Sequence, residues 1–534
     1  MSAPSIAFSF MFFMLAALAF SIYLGRKRKG SQTVAGFFLA NRANGFVLIG
    51  ASLYLSNLSA NQLIGENESV YINNMSVIGW GVSSVFAMLL VAEYFIPIYL
   101  KTGINTVPDF LEKRYDNGTK NLVSLVFIFG YLLNLLPTTL YGGALALDRL
   151  LEVSEYMRLD YWQTIWVLVW FIGLVGVVST VLGGLSAITI SDTILSIGLL
   201  VLMIAIPYFG LTHIGDGSLY GGLKTVLTTK KEHLNAIGGP DDAIPFSALF
   251  TGVFIANLYY WGMEQYIVQQ IIAGKSLAES QKGVALTCFL KLLSPLLINI
   301  PGLIAVSLYT DLPHTASVFP LLARDVLPAA MSGLTAAILL GAAINTFNVG
   351  LNGASSLFIF NIYKPIFAKR KRTPISEKAL LRTGKRFQIG ISLFAMVVAP
   401  FIIYSDKGFY FYIQQVSGIF SVPIFTILFL GFFKTRIPAV AAKVGICFYI
   451  VCYVLTQFVF DTGLHFLHGM GILFVLTALL MLLIGWRYPM AQPFRMVLNN
   501  KVDIVPWKHR GYYYALLMVL MVLVYWVFSP WGLA

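Results

Sequence analysis

Charge is what this 534-residue chain has least of: 11% of its residues are Asp, Glu, Lys or Arg, against 58% hydrophobic. A water-soluble domain carries about 25%. So large a deficit excludes a water-facing globule, and the mean hydropathy of +0.79 points to lipid as the solvent. Cysteine is also scarce. Cys288, Cys447 and Cys452 all lie in apolar runs, so no disulfide framework is indicated and their simplest role is as small buried hydrophobes. No Walker motif, Rossmann glycine fingerprint or cysteine/histidine metal spacing occurs, and no composition shift or polar linker marks off a soluble domain. An ATP-driven pump and a membrane enzyme are both disfavoured.

What is present is a series of apolar runs. About fourteen are long enough to span a bilayer, beginning near residues 4, 45, 71, 121, 160, 187, 248, 283, 327, 386, 409, 437, 464 and 511. In the first, the basic residues follow the apolar run and no small-residue cleavage site comes after it. Residues 4–25 are therefore expected to be a retained span rather than a cleaved leader. With the N-terminus outside, 27 of the 36 Lys and Arg fall in inner segments and 7 in outer ones, while Lys291 and Lys443 lie within or at the edge of spans. The positive-inside rule then places both termini outside. The net charge of +13 is explained by these loops and gives no reason to expect nucleic acid. The outer loop 215–247 reads as turns with a short helix. Compact loops suggest a bacterial inner membrane, and nothing in the sequence sets an oligomeric state.

Polar side chains inside the spans are costly, so their positions are informative. "SNLSANQ" (56–62) places five hydrogen-bonding side chains in the second run. Interhelical hydrogen bonding accounts for one Ser or Asn. Five in seven residues predict a break near 55–60, tolerated only where the backbone lines protein or a cavity. In "FIANLYYWGMEQYIVQQ" (254–270), Asn257, Tyr260, Trp261 and Glu264 share one helix face. Amides beside aromatic rings suit a sugar, whose hydroxyls and apolar C–H face need both; a membrane-interface aromatic belt is the plainer alternative. Lys291, in "FLKLLSPLLINIPGLIA", either snorkels to the inner surface or meets a solute or carboxylate. In "GAAINTFNVGLNGASSLF" (341–358), Ala342, Asn345 and Thr346 bring one carbonyl and two side-chain oxygens together, which suits a hard cation such as sodium. Gln414 and Gln415 add amides to a later span.

These segments, with "GFFLANRANG", "GASLYLSNLSANQLIG", "TVPDFLEKRYD", "GGLSAITISDTI" and "LNGASSLFIFNIY", resemble in order and spacing the solute:sodium symporter family, in particular its sodium/sugar cotransporter branch. The likeness runs over roughly 35–440. It implies an all-α transporter, not an enzyme, built as a five-plus-five inverted repeat of the LeuT type in which the first helix of each repeat is discontinuous. The expected division is an extra N-terminal helix at 4–25, repeats at 45–214 and 248–434, and extra C-terminal helices at 437–531. By position, the resemblance implies co-transported sodium held by the backbone oxygens of Leu55, Leu58 and Ala342 and the side chains of Asn345 and Thr346. Asn345 departs from the small hydroxyl residue usual there but still offers an oxygen. Asp192 would lie on the sodium exit route. Solute contacts would come from Asn57, Gln62, Ser84, Asn257, Lys291 and Gln414, with Tyr260 as the inner gate.

One departure stands out. Sugar-binding relatives have a glutamate in the second core helix where this chain has Gly81, in "VIGWGVSS". Glu66, one turn past Gln62, is the expected replacement. The expected function is sodium-coupled import of a small polar solute, first of all a sugar. A polyol, a sugar acid or sialic acid, and a small carboxylate are alternatives, as are a membrane sensor and a passive channel on the same fold.

Overall fold

A computed structural model describes residues 8, 10–13, 44–103, 107–312, 314–371, 376–404, 409–460, 462–495 and 503–534. Secondary structure among them is helical apart from two isolated bridges. The elements that matter below are α1 (Phe46–Asn57), α2 (Ala60–Ile72), α3 (Ile78–Leu90), α4 (Asn117–Gly130), α5 (Leu136–Leu151), α6 (Tyr161–Ile214), α7 (Gly252–Met263), α8 (Gln265–Ile272), α9 (Leu277–Ser294), α10 (Ala329–Leu357), α11 (Glu377–Val398), α12 (Phe409–Phe433) and the C-terminal α13 (Arg510–Val527).

Ten helices among the described residues are long and apolar enough to cross a membrane, and a pair bent by 82°, Gly198–Ile214 with Leu219–Thr229, makes an eleventh. The count falls below fourteen for physical reasons. The runs beginning near 45 and 248 are each cut into two short helices, α1–α2 and α7–α8, which fail a length test. Most of residues 4–25 lies outside the described residues. The runs near 160 and 187 are still counted separately, as Tyr161–Thr180 and the bent pair, although they belong to one 54-residue helix, α6, started by a capping box in which Asp160 accepts from the Gln163 amide.

Both breaks are written in local chemistry. At the first, Leu58 (φ −74°, ψ 99°) and Ser59 (φ −112°, ψ 161°) are extended, and Ser59 Oγ accepts the Gln62 amide at 3.2 Å. Ser59 is thus the N-cap of a new helix within the span, and the last carbonyls of α1 lose their helical partners. At the second, Glu264 (φ −63°, ψ 123°) separates α7 from α8. There the Gly262 carbonyl accepts from the Tyr99 hydroxyl at 2.7 Å. Elsewhere π-helical turns re-aim side chains. Tyr131–Leu135 joins α4 to α5, and Pro295–Asn299 continues α9.

The helices pack in two groups. α1, α3, α7 and α9 lie against one another; α5, α6, α10 and α11 form the second group. Contacts are close because small residues meet: Gly50 faces the Gly283 carbonyl, and Gly143 faces Ala343. The breaks lie between the groups, with α12 packed against α2 and α7. The 215–247 segment has the expected short helix, Leu219–Thr229, and a turn in which the Gly239 amide donates to Asp242 at 2.7 Å.

Candidate functional site

A cavity of about 260 Å³ lies where the two breaks meet. Asn57, Gln62, Glu66, Asn257, Tyr260, Lys291 and Gln414 all line it, as does Thr346. Residues 57 to 414 are brought together by the fold alone, from α1, α2, α7, α9, α10 and α12. Ser84 is not on this wall. Its hydroxyl turns into its own helix and donates to the Gly81 carbonyl at 2.5 Å. Gly81 itself does line the cavity.

Tyr260 ties the two breaks together. Its hydroxyl shares a 2.7 Å hydrogen bond with Tyr266 on α8 and accepts from Asn57 Nδ2 at 3.3 Å. Asn257 Nδ2 lies 3.3 Å from both the Trp80 carbonyl and Ser83 Oγ, which fixes α7 against α3. Glu66 is 3% exposed. Oε1 accepts from Gln62 Nε2 at 2.7 Å and Oε2 from Asn299 Nδ2 at 3.1 Å. Its carboxylate therefore acts on the cavity largely through Gln62, whose own Oε1 is buried without a partner. Asn57 Oδ1 and Asn61 Oδ1 are in the same condition. All three residues line the cavity while these oxygens are themselves covered by protein, and a buried polar atom left so is expensive.

Glu264, which the sequence places on the polar face of its helix, sits at the second break. Its carboxylate accepts from the hydroxyls of Tyr131 at 2.7 Å and Tyr259 at 2.8 Å. The π turn after α4 aims Tyr131 at it.

A second space of about 950 Å³ opens on the side of the 215–247 loop, lined by Glu68, Asp241, Asp242, His465 and His468 among others. Trp80, Tyr410 and Gln414 line both spaces and so form the partition between them. Tyr410 lies hard against Gly65, where no Cβ would fit. Glu68 accepts from the amides of Phe409 at 3.1 Å and Tyr410 at 3.4 Å, and from Thr315 Oγ1 at 2.8 Å. It thereby caps the start of α12 from a different helix.

Of the expected sodium ligands, Leu58 lies at the break, Ala342 is buried, Thr346 faces the cavity, and Asn345 Oδ1 is a buried oxygen without a donor. The side chains of Leu55 and Asp192 lie outside the described residues. The other amides of the α10 stripe hold helices together: Asn348 shares a 2.9 Å hydrogen bond with Ser179, and Asn352 Oδ1 accepts from Gln388 at 2.8 Å.

No pattern in the sequence singles out Trp80, Tyr410 or Asn299. Asn299 is a lone amide in an apolar span, two residues before a proline.

The chain is 41% identical over 94% of its length, and 87% of the other protein's, to a protein of Escherichia coli K12 described as the uncharacterized symporter YidK. It is 28% identical to the sodium/glucose cotransporter of Vibrio parahaemolyticus over 82% of each chain. A Na+-coupled sialic acid symporter, solved substrate-bound and outward-open, superposes with a TM-score of 0.75 at 20% identity, covering 92% of this chain and 99% of that one. That likeness shows the fold, which is of the LeuT type. The model of the sodium:solute symporter family matches residues 37–448, and the chain belongs to that family of multi-pass, sodium-coupled transporters.

Proposed function

We propose that this protein imports a small polyhydroxylated solute of sugar size together with sodium, by alternating access. The observation that carries this reading is the cavity at the meeting of the two helix breaks, lined by the amide residues Asn57, Asn61 and Gln62, whose oxygens lack donors, and set off by an aromatic partition. The orphaned oxygens call for hydroxyl donors, and the rings of Trp80, Tyr260 and Trp261 offer faces for a sugar's C–H surface. Sodium would be held by the backbone oxygens of Leu55, Leu58 and Ala342 with Asn345 and Thr346, and would leave past Asp192. By filling the break between α1 and α2 it would favour the solute-competent shape. One sodium moving down a tenfold gradient and ~100 mV supplies about 3.7 kcal/mol, enough to concentrate a neutral solute roughly 500-fold.

The test is sodium-driven uptake of a panel of sugars, polyols and sugar acids into proteoliposomes, wild type against Thr346→Ala. The expected result is accumulation that requires sodium and falls at least about tenfold in the variant. Uptake indifferent to both sodium and the substitution would sink the coupling; equilibration without accumulation would mean a channel.

A further inference from the structure

The cavity wall carries three charged side chains, Glu66, Glu264 and Lys291, and their partners differ. Each oxygen of Glu66 has an amide donor, from Gln62 and Asn299. Each oxygen of Glu264 has a phenol donor, from Tyr131 and Tyr259. Lys291 is 3% exposed, and it takes part in none of the ion pairs found among the described residues. On one side the Trp261 ring centroid lies 5.8 Å from Nζ. On the other side is open space. A Cβ built on Gly81 would have Nζ, at 4.0 Å, as its nearest neighbour.

A buried ammonium has three donors and no acceptor of its own, and it is stable only when a negative or strongly accepting group meets it. The two carboxylates of the cavity are already surrounded by protein donors. The ammonium feels the charge of Glu66 but makes no hydrogen bond or ion pair to an acceptor among the described residues, and the room beside it lies over Gly81 within the solute cavity. The remaining wall supplies the opposite need. Asn57, Asn61 and Gln62 line it, each with a covered amide oxygen that has no donor, and a rotation of the side chain would offer that oxygen to a hydroxyl group. The volume, about 260 Å³, is below the 300–1,000 Å³ typical of drug-sized ligands, so it fits one small ring or a short chain.

We infer that the solute is a monosaccharide acid, with hydroxyls against Asn57, Asn61 and Gln62 and its carboxylate on Lys291 in the space over Gly81. This rests on the cavity being the solute site and narrows what that site takes. A neutral hexose would leave the ammonium with only the more distant charge of Glu66 and no direct acceptor; a simple carboxylate would leave the amides without hydroxyl partners.

The test uses the full chain in proteoliposomes with an inward sodium gradient. Radiolabelled glucuronate and galacturonate are the probes, competed against gluconate, glucose and galactose. The acids are expected to compete better than the matching neutral sugars by about tenfold or more. Lys291→Gln should shrink that acid-to-neutral ratio by a similar factor. Gly81→Glu places a carboxylate beside the ammonium, in space that is already open, and should remove the preference or reverse it. Because it leaves Lys291 paired, this second variant reports on specificity even if Lys291→Gln fails to fold. Sodium-driven uptake in which neutral sugars compete as well as acids, or an acid-to-neutral ratio untouched by Gly81→Glu, would overturn the inference and leave symport standing. Accumulation of no member of the panel would overturn both.

Discussion

Glu66 and Glu68 stand two residues apart on α2, so their side chains point about 200° apart. That separation gives them different work. Glu66 faces the cavity and orients Gln62, while Glu68 faces the start of α12. In Glu66→Gln one of the two accepting oxygens becomes an amide nitrogen, which must then face the donor of either Gln62 or Asn299. The loss of one charge-assisted hydrogen bond is worth about 1.5–3 kcal/mol. The Michaelis constant for the solute should therefore rise roughly 10- to 100-fold, read from uptake kinetics at saturating sodium. An unchanged constant would refute this positioning role. The polar residues of "SNLSANQ" are legible in sequence because each carries an unmet hydrogen-bonding need into hydrocarbon. Asn299 is not, since a lone amide has no periodicity and its partner lies 233 residues away. Likewise, sequence points to Glu66 as a direct replacement for a missing carboxylate, but only coordinates reveal that both its oxygens already have donors.

Among the elements, the discontinuous helices are the most readable. A serine able to cap Gln62 interrupts an apolar run, and the chain breaks there. The second break, at Glu264, is harder to see. What stabilises it is a pair of tyrosines from α4–α5 and α7 that no local pattern announces. α12 illustrates a third kind of dependence. Its first amides lack intrahelical acceptors and are met by Glu68, which brings charge to the positive end of the helix. The latch holds Tyr410 over the cavity and against Gly65. Glu68→Ala removes acceptors for two backbone amides and the Thr315 hydroxyl, and should destabilise the closed partition by about 1–3 kcal/mol. The readout is labelling of a cysteine placed at Ser417, on the cavity wall, by a membrane-impermeant thiol reagent, with Cys447 and Cys452 replaced by serine. Labelling through the 950 Å³ space beyond the partition should speed up about 5- to 150-fold. An unaltered rate would mean that Glu68 serves only to hold the fold.

At the scale of the whole molecule, two helix groups meet at one cavity, and the proposed sodium ligands come from both sides of that meeting. Leu55 and Leu58 flank the α1–α2 break; Ala342, Asn345 and Thr346 stand on α10, which packs with α5 and α6. An ion held between them is a cross-brace that exists only in the folded protein. A ligand that binds the native state alone stabilises it by RT ln(1 + [L]/Kd), about 2.7 kcal/mol at a concentration of 100 Kd. The detergent-solubilised protein should therefore melt at a temperature that climbs with sodium chloride. An equal concentration of potassium chloride should not produce the climb, since it matches the screening of surface charges without matching the ion. Thr346→Ala removes one oxygen from the proposed set and should flatten the sodium dependence while leaving the melting temperature in potassium close to that of the wild type. The same comparison in Asn345→Ala asks whether its buried, partnerless oxygen belongs to the ion. If it does, the sodium response weakens there as well. If potassium stabilises as well as sodium, or both variants keep the full response, these residues do not form a sodium site, and the break in α1–α2 rests on the Ser59 cap without an ion.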